Sequence, residues 1–147
     1  MNTSISTLLE HKGGAVITVP TTVSVSEAVK EMNKHKIGSV LVMEGDQIAG
    51  IFTERDALTR VIADERDPKT TPITTVMTRN VRTVSPEITV QQMMELFSEK
   101  RCRHVPVVKN EKLLGLISIG DVSRWVASAH RAEAESLRQY ISGGLSA

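Results

Sequence analysis

The sequence is poor in the residue types that announce chemistry on their own. It holds a single cysteine, Cys102, so no internal disulfide forms and no cysteine cluster can carry a metal. Aromatic residues make up 3% of the chain, with one Trp and one Tyr. A core must then be built from Val, Ile, Leu, Met and Ala, and the aromatic stacking platforms of nucleic-acid binders are nearly absent. No charge of one sign dominates: the formal net charge is +1 over 147 residues, which recruits neither nucleic acid nor an anionic membrane surface. No apolar run approaches the roughly 18 residues that a membrane span requires. Residues Met1 to Lys12 lack the basic-then-apolar pattern of a secretory signal. These absences predict a cytoplasmic protein with neither a membrane nor a nucleic-acid partner. His11, His35, His104 and His130 are scattered and make no spaced pair with one another or with Cys102, so no metal site is assigned. No nucleophile with its base and no paired acid and base is visible. No catalytic residue or catalytic cofactor is therefore assigned, and the chain is not expected to be an enzyme.

What the chain does have is repetition. Gly50-Ile51-Phe52-Thr53-Glu54-Arg55-Asp56 returns at an offset of 65 residues as Gly115-Leu116-Ile117-Ser118-Ile119-Gly120-Asp121. Each copy reads glycine, two apolar residues, a hydroxyl residue, two variable positions and an aspartate. The same offset relates Val16 to Asp56 with Val81 to Asp121, without a gap. Identities are sparse, but apolar and turn positions agree almost throughout, which is the signature of a tandem repeat.

Each copy reads strand, helix, strand, strand, helix. In the first, Val16 to Val19 is a short strand stopped by Pro20. Ser24 caps a helix whose buried face is Val25, Ala28, Val29 and Met32. Lys34-His35-Lys36 ends it, where cations suit the helix dipole. Ser39 to Met43 is an apolar strand, Glu44-Gly45-Asp46 a hairpin turn, and Gln47 to Phe52 the return strand. Thr53 opens a helix with Ala57, Leu58, Val61 and Ile62 inward. In the second copy, Val81 to Val84 is the short strand, and Val90, Met93, Met94 and Phe97 are the buried face. His104 to Val108 is the apolar strand, Asn110-Glu111 the turn and Lys112 to Ile117 the return. Ser118 opens the last helix, with Val122, Trp125, Val126 and Ala129 on one side.

These elements predict an α+β fold of two β-α-β-β-α repeats packed in pseudo-two-fold symmetry, with an extended C-terminal helix. The boundaries are a lead segment at 1–15, repeat 1 at 16–63, a polar linker at 64–80, repeat 2 at 81–129 and a helical extension at 130–147. A unit of about fifty residues buries too little surface to be secure alone, so the halves should pack through their sheets. Ser4 to Leu9 is a short helix ended by Gly13-Gly14, and Pro72 to Met77 a helical turn. The final helix meets no breaker before Gly143-Gly144. Its outlying stripe, Leu137, Tyr140 and Ile141, is expected to dock on a partner subunit or to fold back.

The recurring motif has two compatible readings. Thr53 with Asp56, and Ser118 with Asp121, fit a capping box with Asp in place of Glu. A helix N-terminus also presents N–H groups and a positive dipole end to an anion. The hydroxyl can add a bond to a phosphate, and the acceptor-only carboxylate can take both protons of a ribose diol. Pro106 lacks an N–H and interrupts ladder pairing, which frees nearby backbone for an adenine edge. In the matching segment, Ile37-Gly38-Ser39-Val40, Gly38 permits close approach. Arg101 and Arg103 flank the second apolar strand within reach of a phosphate. They also flank Cys102, which reads as an ordinary half-buried thiol. His104 stands at the start of that strand, as a ligand contact or as packing.

On these residues the sequence resembles a tandem pair of cystathionine-beta-synthase-type domains, a CBS pair or Bateman module. The resemblance covers roughly Val16 to Ala129 and rests on Ile37 to Val42, Gly50 to Asp56, Arg103 to Val108 and Gly115 to Asp121. It implies clefts between the halves that bind an adenine nucleotide such as AMP, ADP, ATP or NAD. It places Thr53, Asp56, Ser118 and Asp121 on phosphate and ribose. It also implies that Thr18 and Thr83 line the clefts, with Ile37, Gly38, Ser39, Val40, Arg103, His104, Val105 and Pro106. Arg55 and Gly120 differ between the copies, so the two sites should not be equivalent, and Arg55 favours more negative charge at the first. The implied function is a regulatory, energy-sensing module that signals to a downstream protein and forms a homodimer. The rival reading is a ligand-free interaction or oligomerisation scaffold.

Overall fold

The computed structural model describes residues 3–13 and 15–146, with side chains through Ile141. In chain order the elements are α1 (Ile5–Lys12), β1 (Thr18–Pro20), α2 (Val25–His35), β2 (Ser39–Glu44), β3 (Gln47–Thr53) and α3 (Glu54–Asp56). A π-helical segment (Ala57–Ile62) continues α3, and a 3-10 turn (Ile73–Thr75) follows. Then come α4 (Val90–Lys100), β4 (His104–Lys109), β5 (Lys112–Ser118) and α5 (Ile119–Ser146). One sheet has the order β1-β2-β3 and the other pairs β4 with β5. This is the α+β arrangement with a long last helix that the repeat predicted.

The chain divides into two compact units that do not follow the repeat boundaries. A strand unit takes Gly14–Ser85 and His104–Leu116. A helical unit takes Met1–Gly13, Pro86–Arg103 and Ile117–Ala147.

In the strand unit, β1 runs parallel to β2 with Val19 opposite Val42, and β2 runs antiparallel to β3 with Ser39 opposite Thr53. The first strand begins at Thr18 rather than Val16 and includes Pro20, which an edge position tolerates. The core gathers Val19, Val25, Ala28, Met32, Val40, Val42, Phe52 and Val61 with Ile73, Val76 and Met77. The strand predicted at Val81 to Val84 shrinks to one parallel bridge, Val84 opposite Val107. Its register is that of Val19 and Val42 moved by the repeat offset. The Val84 N–H donates to the Pro106 carbonyl at 3.0 Å, and the Val108 N–H to the Val84 carbonyl at 2.9 Å. The next bond of a parallel ladder would need an N–H at residue 106. Proline has none, whereas Leu41 supplies it in the first copy.

Each repeat helix is strapped at its N-terminus by a distant segment. In the strand unit, the Val25 N–H donates to the Thr71 carbonyl at 2.9 Å and the Ile73 N–H to Val23 at 3.0 Å. In the helical unit, the Val90 N–H donates to Thr3 at 2.8 Å and the Ile5 N–H to Ile88 at 2.8 Å. Behind these bonds Ile73 and Val76, like Ile5 and Leu8, are buried. Ser24 caps α2 by accepting from the Glu27 N–H, and Thr89 forms a full capping box with Gln92 at the start of α4. Both helices end on a left-handed residue that is not glycine, Lys36 and Arg101.

Four apolar residues predicted to face inward do not. Val29 and Met94, which correspond under the repeat offset, are 39% and 42% exposed. Leu58 and Ile62 are 60% and 67% exposed. There the coil widens: Ala63 N–H bonds to Leu58 and Arg66 N–H to Val61, five residues back, so a 3.6-residue period no longer predicts the buried face. Helix α1 ends at Gly13, whose φ is 64°, and the partner glycine of that predicted stop, Gly14, lies outside the described residues. Helix α5 runs through Gly143-Gly144, since glycine weakens a helix by about 1 kcal/mol without forbidding it. Residues 131–141 are all exposed, so Leu137, Tyr140 and Ile141 do not fold back.

Gly50 is fixed by packing rather than by conformation. The antiparallel bridge Ile51 to Thr78 brings the chain so close that a Cβ at residue 50 would stand 2.7 Å from the Thr78 carbonyl oxygen and 2.7 Å from Met77 Sδ. Backbone cannot yield as a side-chain tip can. Gly50→Ala should therefore destabilise the protein by about 1–3 kcal/mol, read as a lower urea midpoint. A change within 0.5 kcal/mol, the spread of neutral surface substitutions, would show that the 73–78 segment is not held against β3.

Candidate functional site

The two copies of the motif become two corners where a strand turns into a helix. At the first, the Asp56 N–H donates to Thr53 Oγ1 at 3.2 Å and the Thr53 N–H donates to Asp56 Oδ2 at 3.0 Å. At the second, the Asp121 N–H donates to Ser118 Oγ at 3.0 Å and the Ser118 N–H to Asp121 Oδ2 at 2.8 Å. Both are reciprocal capping boxes. The first N–H of each helix is also taken: Glu54 donates to the Gly38 carbonyl at 3.0 Å and Ile119 to the Arg103 carbonyl at 2.9 Å. A helix start has no intrahelical partner for its leading N–H groups. Among the described residues none takes the N–H of Arg55 or of Gly120, the positions between.

The two acids differ in what else they hold. The Asp56 side chain is 11% exposed, and its nearest cation is Arg60, with Nε 3.7 Å from Oδ1. That is an ion pair beyond hydrogen-bond length. The Arg60 guanidinium is directed instead to the Val76 and Met77 carbonyls, at 3.2 and 3.1 Å. Asp121 is 7% exposed, and each of its two oxygens has a partner. Oδ2 accepts from Lys12 Nζ at 2.8 Å as well as from Ser118, and Oδ1 accepts from Arg124 Nη2 at 2.7 Å. Burial pushes the Asp121 carboxyl up. The Lys12 hydrogen bond, the Ser118 N–H, the Lys12 charge and the Ser118 hydroxyl together outweigh it and hold the group below its ordinary value.

Beside this second corner a groove of about 510 Å³ runs between α1 and α5. Leu8 and Trp125 give it apolar walls, and Lys12, Arg124 and Arg131 give it positive charge. The His11 and Trp125 rings meet edge to face with centroids 5.2 Å apart. A smaller cavity of about 260 Å³ lies in the strand unit, bordered by Ile48, Arg79, Thr83, Val108 and Leu113. Among the described residues no group of three or more His, Cys, Asp or Glu side chains is placed to hold a metal, and no helix is long and apolar enough to cross a membrane.

The structure gathers part of the sequence-predicted set at each corner. At the first, β2–β3 pairing sets Ser39 beside Thr53, the Gly38 carbonyl bonds the start of α3, and Arg55 and Asp56 lie in the first turn. Ile37 packs on the core, and Thr18 is exposed on β1 opposite Leu41. The Val40 side chain is buried in the core, and that of Val105 is buried too. At the second corner, Arg103, Ser118, Gly120 and Asp121 share the helical unit. Thr83, His104, Val105 and Pro106 belong to the strand unit, where the exposed Thr83 precedes the residue bonded to Pro106. Sequence reasoning missed Lys12, Arg60 and Arg124. Arg60 and Arg124 stand four and three residues beyond their acids, the spacing of a helical ion pair. Lys12 lies 109 residues from Asp121 and left no such signal.

A family model described as CBS domain matches residues 14–63 and 73–128. The CBS domain-containing protein CBSX3, mitochondrial, of Arabidopsis thaliana is 40% identical over 97% of this chain and 74% of its own. A putative signal-transduction protein with CBS domains from Burkholderia ambifaria is 40% identical, with a TM-score of 0.82 over 86% of this chain and 95% of that one. A CBS domain protein from Pyrobaculum aerophilum, solved as a complex with AMP, is 26% identical, with a TM-score of 0.71 over 80% of this chain and 88% of that one.

The ion pairs and hydrogen bonds of Asp121 tie stability to pH in the acid range. Its pKa is depressed in the folded state, so its contribution is present above the unfolded value of about 4 and is lost as pH falls through the lower folded value. Denaturation from pH 7 down to pH 2 should show a steeper loss of stability below about pH 4 for the wild type than for Asp121→Asn. Parallel curves would mean that Lys12 and Ser118 do not hold this carboxylate in solution.

Proposed function

The chain belongs to the CBS-domain family, and from that membership we propose that it is a regulatory module that binds an adenine nucleotide and passes the binding on to a protein partner. CBS-domain proteins are regulatory and signalling modules, and the AMP complex of the Pyrobaculum aerophilum protein supports an adenine nucleotide as the ligand class. The observation that carries the reading is the first corner. Asp56 keeps Oδ1 outside hydrogen-bond distance of its nearest cation, next to a helix start whose Arg55 N–H is unclaimed among the described residues. A phosphate would accept from that N–H and from the Thr53 hydroxyl, and the ribose diol would donate to Asp56.

The module acts by differential affinity. A nucleotide shifts the protein between two arrangements only by as much as it binds one better than the other. We take the output to be a homodimer surface and the exposed stripe of α5, Leu137, Tyr140 and Ile141, with a downstream protein as its reader. No step of this reading makes or breaks a covalent bond, which sets it apart from an enzyme. The cytoplasmic placement rests on the sequence alone, beside a relative whose name places it in the mitochondrion.

One observation favours the second reading, a ligand-free scaffold: at Asp121 both carboxylate oxygens already have partners. Melting temperatures with AMP, ADP, ATP and NAD decide between them. A ligand at a hundredfold excess over its Kd stabilises by about 2.7 kcal/mol. The expected result is a rise with at least one adenine nucleotide that Asp56→Ala abolishes. A flat panel from ligand-free wild-type protein would establish the scaffold.

A further inference from the structure

Arg60 touches both the first corner and the segment that closes its unit. Nη1 donates to the Val76 carbonyl at 3.2 Å and to the Met77 carbonyl at 3.1 Å. Nε stands 3.7 Å from Asp56 Oδ1. The two carbonyls belong to the stretch that holds α2 and β3. There Val25 donates to Thr71, Ile73 donates to Val23, and Ile51 and Thr78 exchange both their bonds at 2.9 Å. One guanidinium therefore lies between the acid of the first corner and the strap of the same unit. Its seat is the π-helical coil Ala57–Ile62, a rare form that recurs at functional sites.

The link recurs in the helical unit with other chemistry. Trp125 corresponds to Arg60 under the repeat offset and stands, like it, four residues beyond its acid. The Trp125 ring meets that of His11 near the end of α1, the strap helix of that unit. Lys12, next along α1, donates to Asp121 at 2.8 Å. Each acid is thus joined to the strap of its own unit, directly by Lys12 in one and through Arg60 in the other. The Arg60 joint is the looser. Its side chain is 48% exposed, and a long exposed side chain loses much rotamer entropy when it is ordered. A carboxylate beside Nε offsets part of that cost and aims the planar fork at the carbonyls.

We propose that Arg60 couples the first corner to the 73–78 strap, so that a ligand on Asp56 loosens the strap's hold on α2 and β3. The proposal rests on the nucleotide reading above and adds a route of regulation to it. Ribose hydroxyls that donate to Asp56 Oδ1 occupy the oxygen nearest Nε and draw its charge away from the guanidinium. Arg60 then loses the partner that aims it, and Nη1 gives up part of its hold on Val76 and Met77. Ligand binding and strap closure oppose each other through this one side chain, and the opposition is reciprocal.

Hydrogen exchange of the 73–78 amides, measured against the β2–β3 amides of the same full-length sample, tests this. The probe is whichever of AMP, ADP, ATP and NAD binds most tightly by calorimetry, at saturation. A ligand that only stabilises the folded state slows exchange, so acceleration confined to the strap is a signature that general stabilisation does not produce. The wild type with nucleotide should exchange about threefold faster at 73–78, the scale of a part-exposed ion pair, while β2–β3 slows. Asp56→Asn keeps an acceptor for the Thr53 N–H and removes the charge, and without ligand it should accelerate the strap to a similar extent. Arg60→Met should accelerate the strap about tenfold, the value of hydrogen bonds from a charged donor. It should also make the strap indifferent to nucleotide and to Asp56→Asn, and bind nucleotide at least as tightly as the wild type. Arg60 is exposed and outside the core, so this variant keeps its fold. Nucleotide bound by the wild type without acceleration at 73–78, acceleration that persists in Arg60→Met, or loss of binding in Arg60→Met would overturn the proposal with the nucleotide reading intact. If the wild type binds none of the four nucleotides, that reading fails and control of the strap by a nucleotide fails with it. The Asp56→Asn comparison then decides whether acid and strap are linked at all.

Discussion

The N-termini of α2 and α4 are held by paired backbone hydrogen bonds to segments far along the chain, and the rest of the fold depends on that strapping. Thr71 and Ile73 clasp Val23 and Val25, and Thr3 and Ile5 clasp Ile88 and Val90. A unit of about fifty residues cannot bury enough apolar surface by itself. Each strap closes its unit with apolar side chains, Ile73 and Val76 in one and Ile5 and Leu8 in the other. The two straps correspond to each other at a different offset from the repeats they serve: Ile5 matches Ile73, and Leu8 matches Val76. The segment that precedes a repeat is thus bonded to the helix of the other repeat.

That exchange also explains what the sequence could and could not disclose. The hairpins, the capping boxes and the buried strands are local. They depend on alternation, on a hydroxyl three residues before an acid and on turn residues, and all of these are legible in one pass. The repeat at a constant offset located both corners before any coordinates. Pairing between distant segments has no local signature, which is why the division into a strand unit and a helical unit cuts across the predicted repeats. Pro106 was legible as a missing donor, but its effect, the loss of a strand at Arg82 and Thr83, needed the register with Val107. Leu58 and Ile62 were misplaced because a period of 3.6 was applied to a coil bonded five residues back.

The corners show how far a shared motif constrains chemistry. Thr53 with Asp56 and Ser118 with Asp121 have nearly the same box geometry. What separates them arrives from outside the motif. One acid faces a single distant guanidinium that backbone carbonyls already occupy. The other receives Lys12 from α1 and Arg124 from its own helix. The copies therefore kept the local turn and diverged in the second layer of charge. A motif search reads only the first of these levels.

The exchanged straps also separate two notions of modularity. The stretch that repeats at the offset is not the body that packs together. A cut through the polar stretch at 64–70 would part Ile73 from Val23 on one side and Thr3 from Val90 on the other. Each fragment would keep the strap meant for its sibling and lack the one meant for itself. Such fragments would be complementary pieces, each lacking backbone bonds that the other carries. Lineage and architecture draw the borders of this molecule in different places.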